Sequence, residues 1–137
     1  DAGDEVYQYT LTTAWDISTA SYDSVSFSIS TQESTPVGIT FSRDGTKMCI
    51  VGDANNRIYQ YTLTTAWDIS TATYDSIYIA SVDSNPTGMA FNDKGTKMYI
   101  VGSSGDKVYQ YTLTSFAGVK LYTADPTTNL PHYIKVA

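Results

Sequence analysis

Polar and apolar positions along this chain follow two patterns that alternate in a fixed order. In residues 57–63 (RIYQYTL), Tyr59, Tyr61 and Leu63 fall on one side, with Gln60 and Thr62 on the other. That period of two belongs to a strand. In 47–51 the run Met48-Cys49-Ile50-Val51 is apolar at every position. A sheet with one wet face would alternate there, so this run predicts a strand covered on both faces. Two further strands are expected: 38–42, set off by Pro36, and 76–81, with Ile77 and Ile79 on one face. Between 42 and 47 the sequence Arg-Asp-Gly-Thr places Gly45 where a tight hairpin needs a positive φ.

The same order of strands comes round again. YQYTLTTAWDISTASYDS at 7–24 returns as YQYTLTTAWDISTATYDS at 59–76, differing only at Ser21/Thr73, and YQYTLT starts a third time at Tyr109 before departing at Ser115. PVGITFSRDGTKMCIVG at 36–52 returns as PTGMAFNDKGTKMYIVG at 86–102. Tyr7 to Tyr59 is 52 positions, and Tyr59 to Tyr109 is 50, the difference falling between Ser24 and Pro36, where a surface loop tolerates insertion. Four antiparallel strands in a tandem unit of about 50 residues predict an all-β chain of β-propeller-like blades. A β-solenoid is the other architecture open to a tandem β repeat, although its period is ordinarily much shorter. The chain holds about two and a half such blades: strands three and four, a full blade, then strands one to three of another. Residues 1–114 form the repeat region and 115–137 a divergent strand and tail, with 116–122 as candidate last strand. Two and a half blades do not close a ring, so either the array is longer or several copies complete it.

Composition supports the strand reading: Tyr, Thr, Ser, Val and Ile dominate, and long helix formers are sparse. The net charge of −6, with eight scattered Lys and Arg, excludes a phosphate-binding face and so nucleic acid as partner. No apolar run approaches the roughly 20 residues of a membrane-spanning helix. There is no initiator Met and no signal-peptide pattern, so the sequence reads as beginning mid-protein or at a processed end.

YQYTLTTAWDISTASYDS followed by PxGxxFxxDGTKMYIVG resembles a β-propeller-type repeat of phage structural proteins and of secreted or surface proteins of marine bacteria. The resemblance covers about 6–114. Cys49 departs from it where the next copy has Tyr99, as does Lys94 where the first hairpin has Asp44. It implies a structural or adhesive role on a virion or cell surface and carries no catalytic residues.

Catalysis needs unique residues that converge, and near-identical repeats leave few. His132 lies alone in the tail, and Cys49 sits inside an apolar strand without the cationic neighbours that activate a thiol. No cofactor motif occurs. Asp53, Asn55 and Asp106, in turns, are candidate Ca²⁺ ligands, although Asx residues in turns ordinarily serve local backbone hydrogen bonds. The candidate binding residues are aromatic: Trp15 and Trp67 in the Thr-Thr-Ala-Trp-Asp-Ile-Ser connections, with Tyr22 and Tyr74 after them. They suit stacking on a sugar or a protein hot spot. Alternatively, each Trp covers the bottom of its own blade, and the Tyr-Gln-Tyr rings pack between blades. Three functions remain open. One is a non-enzymatic structural module of a virion or appendage, whose partners are copies of itself or other surface proteins. The second is an adhesin for a cell-surface glycan or receptor. The third is a propeller hydrolase whose active residues lie elsewhere. The tail, 124–137, is expected to be extended by its prolines and able to add a strand to a neighbouring subunit.

Overall fold

The computed structural model describes residues 3–116 and 119–124, with side chains through residue 113. The tail from 125 onward, with His132, lies outside the described residues. The fold is all-β and antiparallel throughout. A hairpin pairs β1 (Glu5–Leu11) with β2 (Ala20–Ser28). A middle sheet runs β3 (Pro36–Phe41), β4 (Lys47–Gly52), β5 (Arg57–Leu63) and β6 (Ala72–Ala80) in sequence order. A last sheet repeats this with β7 (Pro86–Phe91), β8 (Lys97–Gly102), β9 (Lys107–Phe116) and β10 (Val119–Ala124). Two single-turn 3-10 helices, Ile17–Thr19 and Ile69–Thr71, are the only helical pieces among the described residues. Those residues form an open series of sheets, with no closed ring or barrel among them.

The fourth strand of the unit begins earlier than its apolar alternation predicts, at Ala72 rather than 76. A bulge explains the difference. Register slips between Gln60 and Tyr61, whose partners are Ile77 and Tyr74, and Ser76 takes φ 58. Asp75 and Ser76 are thereby looped out, which breaks the period-two pattern and swings Asp75 back over the sheet. The first hairpin carries the same bulge between Gln8 and Tyr9, with Ser24 at φ 59.

The β3–β4 connection closes with Ser42 N–H donating to Lys47 O (2.8 Å), and Gly45 sits at φ 71 as its turn requires. Asp44 accepts from the Ser42 hydroxyl (2.6 Å) and from Thr46 N–H (3.1 Å), which with the Thr46 hydroxyl pull its carboxyl down to about 2. The β7–β8 turn has Lys94 at that position, and Asn92 takes over, its carbonyl accepting from Thr96 and Lys97 N–H (2.8 and 3.0 Å). One turn is thus held by two different side-chain solutions.

The middle sheet is covered on both faces. Met48, Ile50, Tyr59, Tyr61 and Leu63 bury one face against Val6, Val25 and Phe27 of the first hairpin. Cys49, Val51, Ile58 and Ile79 bury the other against Met98, Ile100 and Tyr111 of the last sheet. All of Met48–Val51 is buried, as a strand apolar on both faces requires. Middle and last sheets approach closely at Gly38, where an added Cβ would stand 3.4 Å from Gly88 Cα and 3.0 Å from a Val51 methyl. A side chain there would push the two inner strands apart.

Two buried carboxylates tie the linkers to the sheet ends. Glu33 accepts from Thr35 and Ala54 N–H (2.8 and 3.1 Å). Asp83 accepts from Asn85, Ser104 and Gly105 N–H (2.9, 3.2 and 3.0 Å). Burial works to raise the Asp83 pKa, but these backbone donors and the Tyr109 hydroxyl outweigh it and hold the carboxyl below its ordinary value.

Candidate functional site

The four aromatic candidates sit in two copies of one local structure. After β1 the chain turns through Trp15 at φ 66, and Asp16 caps the 3-10 turn by accepting from Ser18 N–H (3.0 Å). After β5, Trp67 again has φ 66, and Asp68 accepts from Ser70 N–H (3.0 Å). A left-handed φ on a bulky residue is strained and has to be held by its surroundings. At Trp67 the hold is visible: its N–H donates to Gly45 O (3.0 Å), and its ring lies 5.6 Å from Phe41. The indole occupies the space beside Gly45 so fully that a Cβ there would come within 2.4 Å of it. Trp67 is therefore a clamp on the β3–β4 turn, half exposed at 54%, whereas Trp15 faces no such turn among the described residues and is 98% exposed.

The tyrosines divide the same way. Tyr74 packs on Tyr59 and Tyr61 (centroids 6.2 and 5.4 Å) within the covered face of the middle sheet. Burial raises its phenol pKa, as it raises that of Tyr61 and Tyr111. Tyr22 makes the equivalent contacts with Tyr7 and Tyr9 (6.1 and 5.3 Å), and all three are exposed. The four expected site residues thus do not converge. The structure instead gathers Tyr7, Tyr9 and Tyr22 into one open aromatic face on the first hairpin.

A polar cluster lies at the bulge of each hairpin. In the middle sheet the bulge points Asp75 at Gln60 Nε2 and the Thr62 hydroxyl (both 2.6 Å), and Lys47 Nζ joins it at 3.1 Å and also donates to Thr62. Burial opposes ionisation of Asp75, but Gln60, Thr62 and Lys47 together lower its pKa. In the first hairpin Gln8 and Thr10 donate to Asp23 (2.9 and 3.0 Å) in the same arrangement, with no lysine beside it among the described residues. Gln8 also accepts from Ile69 N–H (3.1 Å), latching the hairpin to the middle sheet's 3-10 turn.

Between the middle and last sheets lies a groove of 990 Å³, floored by Ile58, Ile77 and Met98 and rimmed by Asp44, Lys47 and Lys94. Ile69, in the turn after β5, is buried in the cluster that the middle sheet shares with the first hairpin; the sequence of the third copy departs from this motif after Thr114. Cys49 lines the groove and is buried.

The metal candidates are spread over two turns. Asp53 N–H donates to Thr35 O (3.0 Å), and its carboxylate accepts from the Asn85 amide, turned so that both amide ends are satisfied. Asn55 Nδ2 donates to Gln32 O (3.4 Å). Asp106 takes φ 49 where Asn56 takes φ 51 in the other copy, the left-handed turn position that Asx residues favour. No group of three or more potential metal-ligating side chains exists among the described residues. The residues missed from sequence, Glu33, Asp83 and Asp75, had one available signal: Glu33 and Asp83 each stand three positions before the repeat proline, and Asp23 recurs as Asp75.

No family model matches the chain, and no curated protein matches it. Among solved structures it is similar to a Bacteroides uniformis protein described as a "putative 6-phosphogluconolactonase", at 13% identity and a TM-score of 0.47. That match covers all of this chain and 55% of the other. A superposition so loose fixes neither fold nor activity.

Proposed function

We propose that this chain is a non-enzymatic structural module built of propeller-like blades, assembling face to face with copies of itself in a virion or surface appendage. One observation carries the reading. The middle sheet is covered on both faces by its neighbours, yet the equivalents of its packed residues stand exposed at the two ends of the stack. On the first hairpin these are Tyr7, Tyr9 and Tyr22; on the last sheet they are Val101 and Val108, counterparts of Val51 and Ile58. Exposed apolar patches of this kind mark interaction surfaces. The two ends present the two halves of one interface, so association is head to tail and generates a ring or a filament. Strictly ordered four-stranded sheets, converging at Gly38, support the blade reading. The repeat's resemblance to phage and surface proteins supports the location.

Sedimentation velocity over a concentration series tests this. Self-association that Tyr9→Arg or Val108→Arg abolishes is the expected result; a monomer at every concentration overturns it. A second reading, an adhesin for a cell-surface glycan, is favoured by the full exposure of Trp15 beside a chain whose Trp67 is clamped. Glycan-array binding by the wild type, lost in Trp15→Ala, would select that reading.

A further inference from the structure

We infer that the outer edge of β1 is a docking site for a β-hairpin of the chain's own repeat type, with a glycine to meet Trp15 and a lysine to meet Asp23. The proposal names a partner for an edge, where the assembly reading above concerns faces, and it rests on that reading only in taking the partner to come from the same kind of repeat.

The template is inside the molecule. The edge of β5 that faces β4 receives it in continuous register, from Lys47↔Thr62 to Gly52↔Arg57. The residues of β5 that accept this strand, Tyr59-Gln60-Tyr61-Thr62-Leu63, are repeated without change as Tyr7-Gln8-Tyr9-Thr10-Leu11 in β1. Among the described strands β1 pairs with β2 alone. An unpaired edge of this kind is a template for another strand.

Three groups around that edge stand in the arrangement their counterparts adopt when occupied. Leu63 N–H donates to Thr46 O (2.9 Å) and Trp67 N–H to Gly45 O (3.0 Å). Leu11 and Trp15, the equivalent donors, have no such carbonyl among the described residues. Trp15 already holds the φ of 66 that Trp67 uses to lie over Gly45, with its indole in solvent. Asp23 is already turned inward by the bulge and bonded to Gln8 and Thr10, as Asp75 is to Gln60 and Thr62. Among the described residues the cation that Lys47 supplies to Asp75 has no counterpart at Asp23. A carboxylate preset between two neutral donors favours an ammonium group over any neutral side chain. The occupant is thus specified at two points, Gly and Lys, within the Gly-Thr-Lys-Met string common to 45–48 and 95–98.

A peptide with the sequence of 36–52, kept reduced, is titrated into the full chain carrying Trp67→Phe, so that Trp15 alone reports. Trp15 emission is expected to move to shorter wavelength and saturate at one peptide per chain. Lys47→Ala in the peptide, or Asp23→Asn in the chain, is expected to weaken binding about tenfold. Should the peptide self-associate, the same hairpin and its 53–56 turn are fused ahead of Glu5, and hydrogen exchange is followed. Protection of the Leu11 and Trp15 amides is then expected. Absence of a saturable shift, indifference to Lys47→Ala, or unprotected amides in the fusion overturns the proposal. Binding that appears only after 125–137 is deleted assigns the edge to that segment and also overturns it. Sedimentation of the unmodified chain reads the face-to-face association separately, so either idea can fail alone.

Discussion

Residues 7–24 and 59–76 are the same sequence but for Ser21/Thr73, and they fold into the same hairpin in two different environments. Their backbones agree at every special position: φ is 66 at both tryptophans and 59 or 58 at Ser24 and Ser76. Their side-chain geometry agrees too, with Tyr9–Tyr22 at 5.3 Å and Tyr61–Tyr74 at 5.4 Å. Burial does not agree. Tyr9 is 56% exposed and Tyr61 0%; Ile17 is 86% exposed and Ile69 3%. Local conformation therefore follows from the hairpin's own residues, whereas the energy those residues contribute depends on which sheets stand beside them.

The largest test of that division is a pair of tyrosine truncations. Tyr61 is wholly buried and meets Phe27 edge-on at 5.6 Å. Tyr61→Ala is expected to cost about 3–5 kcal/mol, the range for emptying a large aromatic site. Tyr9→Ala, on an open face, should cost less than about 1 kcal/mol. Urea unfolding of both variants in dilute solution decides it, and equal losses would mean that burial does not set what each residue contributes. Ile69→Ala against Ile17→Ala is the aliphatic version: about 2–5 kcal/mol for the buried residue and within about 0.5 for the exposed one.

The capping aspartates, in contrast, should behave alike in the two hairpins. Asp16 and Asp68 cap their 3-10 turns with matching 3.0 Å bonds, and Ser18 and Ser70 hydroxyls add matching 2.6 Å bonds. Asp16 is held below its ordinary pKa by the Ser18 hydroxyl and N–H. Asp16→Ala and Asp68→Ala should lower stability by equal amounts, through loss of the cap. The same urea curves measure both, and a markedly larger loss at Asp68 would mean that the turn is held by its neighbours rather than by its own residues.

This split also explains what was legible beforehand. The third strand, 57–63, the positive φ at Gly45 and the two covered faces of Met48–Val51 were all readable, because each is written in contiguous residues. The start of β6 was not, because a bulge destroys the period from which strands are read. The Asp75 cluster was hidden for the same reason: Gln60, Thr62, Lys47 and Asp75 lie on three strands and meet only once register and bulge are known. Nor could the two copies of the aromatic motif be told apart, since nothing within 7–24 says that Trp15 lacks the Gly45 that Trp67 covers. Sequence identity guarantees the same hairpin, and context alone makes one tryptophan a clamp and the other a surface.

A subtler effect isolates the lysine that one copy has beside its bulge aspartate. Lys47 pairs with Asp75 at 3.1 Å, and Asp23 has no such partner among the described residues. The Asp75 pKa is lowered, its burial outweighed by Gln60, Thr62 and Lys47. A carboxyl whose folded pKa is depressed stabilises the fold above its unfolded value, near 4, and loses that contribution as pH falls through the lower folded value. Lys47→Met removes two of the lowering influences. The variant should therefore be less stable than wild type at neutral pH, by about 0.2–1 kcal/mol because Lys47 is partly exposed. The difference should vanish below the acid limb and shrink in high salt, where a partly exposed pair is screened. Urea unfolding from neutral pH down through the acid limb measures it. A difference that persists unchanged at low pH would trace the loss to the lysine's alkyl stem rather than its charge. The charge would then not be what sets the middle hairpin apart from the first.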